Sequence, residues 1–93
     1  MKRVLSVWIG DQKWKIVRTS KLGSNHEGEC HYASKTLLVR STLRGEDLLE
    51  VVIHELLHAR FPDLCEETVL EFGQEMSAII YALGFATEEE HDG

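Results

Sequence analysis

Six apolar residues, Leu48, Leu49, Val52, Ile53, Leu56 and Leu57, crowd the segment between Glu46 and Arg60. On a helix they cover too broad an arc for a surface element, so the segment is predicted to form a central helix buried on much of its circumference. Glu46 and Asp47 suit its first turn, where the helix dipole favours acidic side chains. Phe61-Pro62 ends it, because proline disfavours the helical conformation in the residue before it. Within this apolar run stand His54, Glu55 and His58. Burying two imidazoles and a carboxylate costs free energy unless they find partners, so a fold built on this helix must supply them.

Upstream, Val4 to Ile9 and Trp14 to Arg18 are rich in β-branched and aromatic residues, and Gly10-Asp11-Gln12 reads as the turn of a hairpin. Ser20 to Glu29 is polar and glycine-bearing, which predicts a loop with His26 near its tip. Cys30-His31-Tyr32 and Thr36 to Arg40 read as a second pair of strands around Ala33-Ser34-Lys35. The N-terminal half is therefore predicted to be a small, mostly antiparallel sheet, with Thr36 to Arg40 as a candidate edge. Downstream, Asp63 is the expected N-cap of a second helix. Val69, Phe72, Met76, Ile79, Ile80 and Leu83 form its apolar stripe, and Gly84 is the expected C′ residue. The fold class is α+β, a small antiparallel or mixed sheet followed by two helices. A chain of 93 residues has room for a single domain, with Ala86 to Gly93 expected as a frayed acidic tail.

The net charge of −6 argues against a nucleic-acid backbone or an anionic membrane as the main partner. The basic residues between Met1 and Thr19 alternate with apolar ones, the pattern of a solvated strand face. No apolar run resembles a signal peptide or a membrane span. Cys30 and Cys65 lack C-x-x-C spacing, so two reduced thiols and a cytoplasmic setting are expected.

The chemistry concentrates in His54-Glu55-Leu56-Leu57-His58. Residues four apart lie one turn apart on the same helix face, so two imidazoles can reach one zinc ion at about 2.0 to 2.1 Å. Glu55 projects beside the ion, where a carboxylate can act as general base toward a water whose pKa the metal lowers. Catalytic zinc takes a third protein ligand. Asp63, Cys65, Glu66, Glu67, His26, His31 and His91 are the candidates. Glu66 is best placed, because it lies at the border of the second helix's apolar stripe, with Gly73 on the same side permitting close approach of the backbones. Glu67 is the alternative. Tyr81, Tyr32, His31, His26 and Arg40 are candidate donors to an oxyanion on a scissile carbonyl.

His54-Glu55-Leu56-Leu57-His58-Ala59 resembles the metal-binding helix of thermolysin-like gluzincins. The run from Glu66 to Phe72-Gly73 is similar to their second helix, in which a ligand Glu precedes a Phe-Gly pair at the same interval. The resemblance covers about residues 50 to 73. It implies a minimal zincin core, a zinc ion held by His54, His58 and Glu66, and Glu55 as the base. Two features depart from the pattern. Only seven residues separate His58 from Glu66, and the position of the Asp that orients a ligand His in those enzymes is held by Leu70.

The expected function is zinc-dependent hydrolysis of a peptide or protein substrate. The alternative is a non-catalytic zinc-stabilised domain that binds a protein partner or a second copy of itself. A metal-dependent nuclease would need a basic groove around Arg40, Arg44 and Arg60.

Overall fold

A computed structural model describes residues 3–85. The tail from Ala86 lies outside the described residues. Two strands open the fold, β1 (Arg3–Ile9) and β2 (Gln12–Thr19), paired antiparallel with Ile9 opposite Gln12. The turn between them places Gly10 at φ 63°, a left-handed conformation that glycine adopts without a Cβ penalty. The expected hairpin is present.

The rest of the sheet keeps to the mostly antiparallel expectation but not in where its last strand lies. After β2 the polar loop carries the chain to the far edge, where β3 (Gly28–His31) forms, and a tight turn at Tyr32 to Lys35 brings β4 (Thr36–Arg40) back antiparallel to it. Strand β4 thereby enters between β3 and β2, running parallel to β2, and the order is β1-β2-β4-β3. The sheet is mixed, and Thr36 to Arg40 is interior. Its open edges are β1 and β3. Tyr32 lies in the turn rather than in the strand.

Helix α1 (Gly45–Arg60) packs on the sheet face formed by Trp14, Leu37 and Val39, which are 4%, 1% and 0% exposed. The Arg18 guanidinium fixes the connection into it, donating to the carbonyls of Ser41 and Leu43 at 2.9 Å each. Helix α2 (Glu66–Ala82) packs on α1. The order of layers is sheet, α1, α2.

The sheet on one side and α2 on the other leave no residue of α1 from Leu48 to Ala59 exposed, as expected of a central helix, and Leu48, 8% exposed, is its most buried apolar side chain. Burial of α2 is thinner than its apolar pattern suggests: Val69 is 0% exposed, yet Phe72, Ile79 and Leu83 face outward. The N-cap of α2 is Cys65, not Asp63, because Pro62-Asp63-Leu64 closes a turn in which the Leu64 N–H donates to the Phe61 carbonyl at 3.0 Å. The C-terminus matches expectation. Gly84 has φ 97°, its N–H donates to Tyr81, and the Phe85 N–H donates to Ile80, the paired bonds of a Schellman motif.

Candidate metal centre

The i, i+4 spacing stacks His54 and His58 on one face of α1, with ring centroids 4.8 Å apart. Their Nε2 atoms are 3.2 Å from each other. The short turn through Pro62 returns the chain so that the first residue of α2, Glu66, closes the group. Its Oε2 lies 3.1 Å from His54 Nε2 and its Oε1 lies 2.9 Å from His58 Nε2. Among the described residues these three form a cluster whose donor atoms all lie within 4.8 Å of one another. Ligand atoms at about 2.05 Å around a tetrahedral zinc stand roughly 3.3 Å apart, so the donor set and spacing fit such an ion with small adjustments. Without an ion, two imidazole N–H groups can donate to the two oxygens of Glu66.

Glu55 sits beside this cluster but outside it. It is 7% exposed, and burial pushes its carboxyl above the usual carboxylate range, with the His58 imidazole opposing that shift. The strand that covers it is β3. A Cβ on Gly28 would stand 3.0 Å from Glu55 Oε2 and 2.8 Å from a Val51 methyl, so a glycine is required where the edge strand crosses α1. Sequence reasoning missed this residue, because it read Ser20 to Glu29 as loop, whereas β3 begins at Gly28. Gly73 lies at the α1–α2 contact as expected. A Cβ there would meet the His54 side chain at 3.8 Å, an ordinary contact, so the crossing does not depend on glycine.

The cleft above the cluster has a volume of about 800 Å³ and is walled by the loop before β3, the β3 edge and the His54 face of α1. Glu29 organises the loop. It accepts the Gly23 N–H at 2.8 Å and meets His26 Nδ1 at 2.7 Å and His31 Nε2 at 2.9 Å. The Gly23 N–H first, and the two imidazoles with it, hold the Glu29 carboxyl down at about 2. This pin was not anticipated.

Of the candidate oxyanion donors, Tyr32, His31 and His26 line the cleft, whereas Tyr81 and Arg40 do not. The Tyr32 hydroxyl donates to the His58 carbonyl at 2.9 Å, and its ring packs edge-on against Trp14. Arg40 is committed to the loop, donating to the His26 carbonyl and pairing with Glu27 at 3.1 Å. Among the other ligand candidates, Asp63, Cys65, Glu67, His26 and His31 stay outside the three-donor cluster, and His91 lies outside the described residues. Cys65 is exposed, with the Thr68 hydroxyl beside it lowering its thiol, while burial raises that of Cys30 in the cleft wall. Leu70 also lines the cleft.

No described Lys or Arg lines the cleft, so the basic groove a nuclease needs is not formed there. Among the described residues, no helix is long and apolar enough to cross a membrane. No family model, curated protein or solved structure matches the chain.

Proposed function

We propose that this chain is a minimal zincin-type metallopeptidase in which His54, His58 and Glu66 hold zinc and Glu55 is the general base. The observation that carries the reading is the convergence of two imidazole Nε2 atoms and one carboxylate at 2.9 to 3.2 Å, with a buried carboxylate next in sequence to the first imidazole. Zinc, when bound, supplies Lewis acidity toward water and the scissile carbonyl. The chain's own residues do the rest. Glu55 takes a proton from the attacking water and passes it to the leaving amine. Burial raises its proton affinity and makes it a better base than an exposed carboxylate. Strand β3 offers its unpaired edge to an extended substrate beside the α1 motif. Tyr32, half-exposed at the rim, is the donor positioned to meet negative charge on the carbonyl oxygen once it releases the His58 carbonyl.

A purely structural zinc site is closed by four protein ligands. Three described residues converge here, which favours the catalytic reading over a zinc-stabilised binding domain. Elemental analysis of wild type, His58→Ala, Glu66→Ala and Glu55→Gln, paired with cleavage of a denatured protein substrate, tests the assignment. Wild type and Glu55→Gln are expected to carry about one zinc ion per chain, with only wild type cleaving. A wild type free of zinc after purification without chelators would sink the reading.

A further inference from the structure

Two surfaces remote from the metal cluster have complementary chemistry. The first is the sheet face turned away from α1. Register places Val4, Trp8, Lys13, Lys15, Val17 and Leu38 on it. Val4 and Trp8 are 55% and 68% exposed, and the Lys13 ammonium lies over the Trp8 ring. Val4, Val17 and Leu38 line a shallow cleft of about 600 Å³ with Lys15 and Lys21, and no acidic side chain borders it among the described residues. The second surface is the outer flank of α2. Phe72, Ile79 and Leu83 share one face of that helix and are 44%, 57% and 70% exposed. Glu75 and, further round the helix, Glu71 border that face, and α2 contains no Lys or Arg.

We propose that these two faces are the halves of one contact between copies of the chain. The α2 flank of one copy seats Phe72, Ile79 and Leu83 on Val4, Trp8 and Leu38 of the next copy's sheet, and Glu71 and Glu75 meet Lys13, Lys15 and Lys21. Each half exposes large apolar side chains that a lone domain leaves in water, and each carries the sign of charge the other lacks. A nucleic acid is the weaker fit, because single strands are held by rows of stacking aromatics, whereas this cleft is lined by Val4, Val17 and Leu38 among serines, threonines and lysines, with no aromatic ring. The two faces belong to opposite outer layers of the molecule, since α2 packs on α1 and α1 on the sheet. The contact is therefore head-to-tail, and assembly proceeds beyond the dimer unless the rotation closes a ring. Neither face includes a member of the metal cluster, so the proposal stands or falls apart from the peptidase reading.

Sedimentation velocity of the full chain from ~1 μM to ~1 mM spans the affinities open to such an interface. The average mass is expected to climb with concentration and to fall back as salt screens the lysines and glutamates. The pair Lys15→Glu with Lys21→Glu, and separately Glu71→Lys with Glu75→Lys, should each weaken association by roughly tenfold or more. Mixing the two double variants should restore it, since each then presents the complement of the other. Circular dichroism verifies that both are folded. A constant monomer mass overturns the proposal, as does association that ignores both charge reversals and their mixture. Binding of a single-stranded oligonucleotide to Lys15 and Lys21 without self-association also overturns it, and assigns the sheet face to nucleic acid.

Discussion

Gly28 and Glu55 touch so closely that a Cβ on Gly28 would stand 3.0 Å from the Glu55 carboxylate oxygen. The edge strand thereby packs directly on the proposed base, so the β3 edge proposed to meet substrate lies against the group proposed to take the proton.

Gly28→Ala should displace the Glu55 side chain while leaving His54, His58 and Glu66 in place. Cleavage, measured as kcat/KM, is expected to fall by about 10- to 100-fold, the scale of a small misplacement of a reacting group. Zinc content should be unchanged. Equal loss of zinc and activity would show that the strand supports the whole cluster rather than the base.

Glu66 is the only member of the cluster supplied by α2, and it ties that helix to α1. Zinc binding should therefore stabilise the α1–α2 pair. At free zinc about 100 times Kd, stabilisation is roughly 2.7 kcal/mol, or about 10–20 °C in Tm for a domain of this size. Glu66→Gln should remove most of that shift in thermal unfolding monitored by circular dichroism. A shift as large as that of wild type would transfer the third ligand to another residue.

The convergence of His54, His58 and Glu66 was legible because it is helical. Four-residue spacing places His54 over His58 whatever else the chain does, and Glu66 follows from the direction of the second helix's apolar face. The long-range parts were not. Whether β4 lands at the edge or in the middle depends on where the loop after Thr19 crosses, and the residues of β4 read equally well in either position. Apolar periodicity likewise identified the face of α2 but not how much of it is covered. Exposed Ile79 carries the same pattern as buried Val69. Capping misled because Asp63 is a good N-cap residue by type, yet Pro62 draws it into the turn. Gly28 and Glu29 escaped notice because their roles arise from what crosses them in space.

The Glu29 pin gives the cleft wall a defined acid sensitivity. Its carboxyl is held down from 4.5 to about 2, so the stabilisation it gives the loop is complete above the ordinary value. As pH falls through the window from 4.5 to about 2, that stabilisation is lost. NMR should show the Gly23 amide, which donates to Glu29, titrating toward the lower of these values. Glu29→Gln should abolish that transition and raise hydrogen exchange at Gly23 at neutral pH. A Gly23 amide that titrates near 4.5 would show that the pin does not hold in solution.

Leu37 is the most consequential core position outside the site, because it is 1% exposed at the centre of the sheet and supports α1 from below. Leu37→Ala removes buried methyl groups and leaves a cavity where Trp14 and Val39 cannot collapse far, each being fixed on its own strand. The expected cost is about 2–5 kcal/mol in urea unfolding. That is a large fraction of the stability of a domain this small. Zinc should recover part of the loss by closing α2 onto α1. The recovery should vanish in the Leu37→Ala, Glu66→Gln double variant. Zinc rescue that persists in the double variant would mean the ion stabilises the chain through ligands other than Glu66.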